Sequence, residues 1–190
     1  DWLAGLREYF ADQQVQLVFG AVKMQGETFF ERVQAIEFMS LIGSGAATAA
    51  LGFPTMCNGA NLAFRKSAFE SVNGYHGNLH IPSGDDEFLM KKILRRYFGG
   101  IKFAADPRTI VTTLPNVDLN QFIHQRVRWA GKWKLQQSYI SKALAIFVFC
   151  FQCAVILLPL GLLMQWISLT SGLIVWSFKI ILEYIFLWRI

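Results

Sequence analysis

From Ala143 to Phe178 the chain runs for 36 residues without an Asp, Glu, Lys, Arg or His. One helix needs about 20 apolar residues to cross a bilayer, so this stretch is too long for a single span. Pro159-Leu160-Gly161 and the segment 165–172 are the places where it can bend or turn. We read one span near 143–164 and a second near 167–188. The second carries Lys179 and Glu183, four residues apart on one helical face. Charges there must pair, face another helix or lie near the membrane edge. The alternative is a helical hairpin buried inside a protein.

The rest of the composition agrees. The chain is 54% hydrophobic and 16% charged, against roughly 45–50% and 25% for soluble domains. Residues 1–118 carry a net charge of −1 and residues 119–190 a net +6. The basic balance thus belongs to the C-terminal part, which excludes a general nucleic-acid binder. Arg126, Arg128, Lys132, Lys134 and Lys142 precede the first span with no acid among them. The positive-inside rule puts that flank, and with it residues 1–141, in the cytoplasm. Three cysteines (Cys57, Cys150 and Cys153) make no disulfide framework and read as reduced. Asp1-Trp2-Leu3 does not resemble a leader, and the chain reads as an excised piece of something longer.

The first 119 residues alternate between strand and helix patterns, which predicts an α/β sheet. Residues 15–22 are a β-rich apolar run. Residues 27–41 have helical spacing, followed by a Gly/Ala-rich segment at 43–52 that lacks the Gly-Lys-Ser/Thr of a phosphate loop. Residues 56–65 read as a loop entering a strand, and 67–72 as a short helix closed by Asn73-Gly74. Residues 85–98 are a helix that Gly99-Gly100 stops. Residues 102–105 and 109–113 are short strands. Residues 120–139 form a basic amphipathic helix, with Asp118 and Gln121 spaced as a capping box.

Three constellations can carry chemistry. In Ser83-Gly84-Asp85-Asp86-Glu87, Ser83 can cap the helix, and the aspartates sit in the first turn, where the helix dipole favours an anion. Asp86 shares a stripe with Leu89, Met90, Ile93, Leu94 and Tyr97, so it points inward, while Asp85 projects to one side. An inward carboxylate at the mouth of an α/β domain is a candidate general base; acids also cap helices with no such role. Next, Gln125, Arg128, Trp129 and Lys132 fall on one helical face. A guanidinium fork suits diphosphate oxygens and an indole can stack on a sugar; a helix lying on a bilayer has the same composition. Finally, Cys57-Asn58-Gly59-Ala60-Asn61 is a small, amide-rich loop that a polar ligand can approach, or simply a turn. His76 and His80 are four apart, but Gly77 and Pro82 argue against a helical metal pair there. Cys150 and Cys153 have redox spacing inside an apolar helix, where it carries no redox reading.

Taken in order, Asn58-Gly59-Ala60-Asn61, Arg65 to Glu70, Val72-Asn73-Gly74-Tyr75, Gly84-Asp85-Asp86, Gln125-x-x-Arg128-Trp129 and then apolar helices resemble the C-terminal half of a membrane-integrated family 2 glycosyltransferase, the group of cellulose, chitin and hyaluronan synthases. The resemblance covers roughly residues 1–165. It implies a GT-A fold and inverting transfer from a nucleotide diphosphate sugar to a glycan or lipid acceptor. It makes 1–119 the C-terminal part of a cytoplasmic catalytic domain, 120–141 an interfacial helix, and 142–190 a multi-pass region in the cell (inner) membrane. Asp86, beside Asp85, would be the catalytic base. Arg128 would hold the diphosphate, and Gln125, Trp129, Asn58, Gly59 and Asn61 would line the substrate site. Mg²⁺ or Mn²⁺ would serve the parent enzyme through ligands outside this chain, and the piece alone would be inactive. The competing expectations are a non-catalytic binding or assembly module on the same scaffold, and a basic membrane anchor.

Overall fold

A computed structural model describes residues 1–77, 83–131 and 139–188. His80 and Pro82, with Lys132 and Lys134 of the basic stretch, lie outside the described residues. The chain divides into two units, Asp1–Leu135 and Gln136–Ile190.

The first unit is mixed α/β. Strand β1 (Leu17–Gly20) is buried at every position, as expected of a central strand covered on both faces. It pairs antiparallel with β3 (Leu62–Phe64) and parallel with β4 (Ile101–Ala104), giving the order β3-β1-β4. Strand β2 (Val22–Met24) pairs in parallel with β5 (Val111–Thr113), Val22 opposite Val111. The period-two alternation of β1 sorts the core. Leu17 and Phe19 pack with Ala68, Leu89, Met90 and Ile93, whereas Val18 packs with Leu6, Val15 and Ala104.

Helix α1 (Trp2–Tyr9) was not among the expected elements. Asp1 caps it by accepting from Leu3 N at 3.1 Å, and it buries Leu6. Helix α2 (Phe29–Ala50) begins in a capping box between Thr28 and Glu31, two reciprocal bonds that satisfy orphan donors. It does not stop near residue 41 but runs through Gly43 and Gly45. Tertiary packing overrides the weak helix propensity of glycine: a Cβ on Gly45 would lie 3.2 Å from the Met56 carbonyl. Helix α3 (Lys66–Ser71) is closed, as expected, by Asn73 and Gly74 at positive φ. Helix α4 (Asp85–Arg96) buries Leu89, Met90 and Ile93, each worth about 1.5–3 kcal/mol on burial. Its cap is Gly84 in the left-handed region at φ 91°, with no side-chain capping bond, so Ser83 does not cap it. Helix α5 (Leu119–Gly131) opens where expected, Gln121 N donating to Asp118 Oδ1 at 2.8 Å.

The second unit is a helical hairpin, α6 (Tyr139–Leu163) and α7 (Leu169–Trp188). Helix α6 continues through Pro159, and the turn comes after it, with Gln165 at φ 58°. Segments Ser141–Leu163 and Leu169–Phe186 are long and apolar enough to cross a membrane. Gly172 of α7 lets Leu158 and Leu162 of α6 approach closely. Lys179 and Glu183 pair at 2.6 Å along α7.

Candidate active site

The first turn of α4 sets Asp86 by the spacing that buries Leu89, Met90 and Ile93. Asp86 is half-buried and Asp85 exposed, the division expected from the helical stripe. Asp86 Oδ2 accepts from Gly59 N at 2.6 Å, and Oδ1 from Glu87 N at 2.7 Å. Asn58 closes its own loop by accepting from Ala60 N at 2.9 Å, a local turn that presents the Gly59 amide. A Cβ on Gly59 would lie 3.3 Å from Asp86 Oδ2. Asn58, Gly59 and Asp86 therefore form one cluster, brought together across 27 residues of sequence. The two N–H groups orient the carboxylate.

Asn61 has a different place. It is fully buried, and both amide hydrogens are used, on Ala21 O and Thr109 O at 2.8 Å each. Its oxygen accepts from Trp2 Nε1 at 3.1 Å. The sequence expectation puts Asn61 on the substrate side; the structure gives its side chain to a bracket between α1, the end of β1 and the 107–109 turn. Gly20 is part of the bracket, since a Cβ there would fall 2.5 Å from Asn61 Nδ2.

Tyr75 joins the Asp86 cluster. Lys92 Nζ donates to the carbonyls on either side of it, Gly74 O at 2.8 Å and His76 O at 2.7 Å. The ring meets Phe69 edge-on at 5.2 Å. Burial, then the charges of Asp85 and Asp86, then Cys57 push its hydroxyl above the usual phenol range. The signal in the sequence was the Asn73-Gly74 turn that precedes it. Glu87, named in the acidic constellation but given no role there, is buried and ion-paired with Lys91; the pair follows i,i+4 spacing.

The second expected face, on α5, divides. Gln125 and Trp129 are half-buried, Arg128 is exposed, and Lys132 lies outside the described residues. Gln125 Oε1 accepts from Asn116 Nδ2 at 3.1 Å and from Arg126 Nη1 at 2.6 Å, which leaves its amide hydrogens to offer a ligand. Asn116 is held in turn by buried Gln34. Trp129 packs on Phe38 at 6.4 Å between ring centres. Phe38, Ile42 and Gly45 share a face of α2, and Gly45 touches the Met56 carbonyl. The Trp129 contact and the loop leading to Gly59 thus lie along one helix face, on the order of 10 Å apart at 1.5 Å per residue.

Among the described residues, no three His, Cys, Asp or Glu side chains come together as a metal site.

A family model for glycosyl transferase family 21 matches residues 1–190. No curated protein matches the chain. The match carries glycosyl transfer as the class of chemistry. It supports the glycosyltransferase part of the resemblance and does not show the family 2 synthase-like part.

Proposed function

We propose that this chain, which belongs to glycosyl transferase family 21, moves a sugar with inversion from a nucleotide diphosphate sugar to a glycan or lipid acceptor at a membrane. The observation that carries the reading is Asp86: a half-buried carboxylate, oriented by the Gly59 and Glu87 amides at 2.6 and 2.7 Å. In the reaction the acceptor hydroxyl gives its proton to Asp86. Its oxygen forms the new bond at the anomeric carbon as the bond from that carbon to the diphosphate oxygen breaks. The exposed guanidinium of Arg128 meets the charge that develops on the leaving diphosphate. Gln125 and Trp129, with the Asn58-Gly59 loop, line the substrate side, and Asp85 stands beside the base at the rim.

The GT-A assignment belongs to the same proposal, with β1, β3, β4 and α4 as its acceptor-side part. The two apolar helices support a membrane location, and the basic flank supports a cytoplasmic catalytic part in a multi-pass protein of the cell membrane.

Release of nucleoside diphosphate from a panel of nucleotide sugars, in membranes carrying the protein, tests the reading. One donor should turn over. Arg128→Lys should then lower kcat/KM by about 10- to 100-fold, because Lys keeps the charge but loses the fork. An unchanged kcat/KM in that variant would remove Arg128 from the diphosphate site; no turnover with any donor would favour the basic membrane anchor.

A further inference from the structure

Arg126 lies inside the Gln125–Trp129 segment, and by composition alone it is one more cation of a basic flank. The structure gives it a distinct place. Its side chain is 21% exposed. Glu37 of α2 takes its fork with both oxygens, Nε to Oε1 at 2.9 Å and Nη2 to Oε2. The guanidinium lies 4.3 Å from the Trp129 ring and 4.4 Å from the Phe122 ring. Its remaining arm, Nη1, donates to Gln125 Oε1 at 2.6 Å. One planar cation thus touches both half-buried members of the proposed substrate face, and it is anchored to a different helix.

We infer that Arg126 is a positioning residue, and that the Glu37–Arg126 pair sets the orientation of Trp129 and Gln125 for substrate. The physical reason is geometric. An indole on a helix surface has free rotation about two side-chain torsions; a guanidinium against it, held by two parallel bonds to a carboxylate, removes that freedom. The same plane directs the Gln125 oxygen inward, so that its amide hydrogens face outward. Arg128, two residues on and about 200° around the helix, remains available for an anion. The inference rests on the proposed function for what the face does, but not for how it is held.

The test needs a reading of Trp129 that does not depend on turnover. The full chain is labelled with 5-fluorotryptophan, and the Trp129 fluorine resonance is identified by its loss in Trp129→Phe. Glu37→Gln weakens the grip on the fork and keeps the shape of the side chain. Arg126→Lys keeps the charge and loses the plane. Both variants should move and broaden the Trp129 resonance, leave that of Trp2 in place, and raise KM about tenfold with kcat within about twofold, the pattern of lost binding common to ground and transition states. A Trp129 resonance that stays in place in both variants overturns the inference. Movement of Trp2 as well would reduce the pair to a general strut and overturn it too. A displaced Trp129 with unchanged KM would uphold the positioning and sink the assignment of this face to substrate.

Discussion

Replacing Asp86 with Asn should lower sugar transfer by about 10²- to 10⁴-fold, the usual contribution of a positioned base, and leave the protein folded. The substitution separates chemistry from structure because an amide keeps the shape of the carboxylate and one acceptor oxygen. The Gly59 N–H, 2.6 Å from Asp86 Oδ2, retains a partner in one rotamer of the Asn side chain. What is lost is the site that takes the acceptor proton. Asp85→Asn is the comparison: that carboxylate is exposed at the rim, and its loss should cost far less. Nucleoside diphosphate release at saturating donor, beside far-ultraviolet circular dichroism, reads both effects. Turnover within a few fold of the parent in Asp86→Asn would remove Asp86 from the base role, and with it the main support for the catalytic reading. A non-catalytic module on this scaffold would then be the better description.

The largest effect on stability should come from Asn61→Ala. Asn61 is fully buried and makes three hydrogen bonds, at 2.8, 2.8 and 3.1 Å. Alanine strands the Ala21 and Thr109 carbonyls and the Trp2 indole N–H. A buried group left without its partner costs about 1–3 kcal/mol, so the substitution should cost about 3–6 kcal/mol, against a typical total stability of about 5–15 kcal/mol. Asn58→Ala removes a single local bond from a half-exposed loop and should cost about 1 kcal/mol. Denaturant unfolding of the detergent-solubilised protein, followed by tryptophan fluorescence, distinguishes the two. A loss below about 1 kcal/mol for Asn61→Ala would refute the bracket; if KM rose without loss of stability, Asn61 would return to the substrate site.

These two residues show how far the site could be read without a structure. Asp86 was legible because its direction follows from helical spacing within one element: the residues at i+3, i+4 and i+7 are Leu89, Met90 and Ile93, and all three are buried. Asn61 was not. Its partners are 40, 48 and 59 residues away, and nothing in Cys57-Asn58-Gly59-Ala60-Asn61 distinguishes the asparagine that turns its own loop from the one that ties three segments together. The same holds on α5. Gln125, Arg128 and Trp129 have the spacing of one face, yet Arg128 is exposed while Arg126 is enclosed, because Glu37, 89 residues away, stands opposite Arg126.

The fold divides along the same line. The charge-free run predicts two apolar helices, and two are present, since hydropathy accumulates along the chain and needs no partner to be read. The closing turn at Asn73-Gly74 and the opening of α5 at Asp118 follow from backbone conformations and capping bonds that involve only near neighbours. Helix α2 exceeded its expected end because Gly45 packs against Met56 and Phe19 of β1, which local propensity does not register. Sequence alone therefore determined the apolar hairpin, the helices α3, α4 and α5, and that Asp86 faces inward, because these depend on spacing along the chain; it missed α1 and the end of α2. Tertiary structure alone decided which of two arginines is clamped and which is exposed, and which asparagine is buried. Chemically identical side chains differ only in the partner that folding brings opposite them.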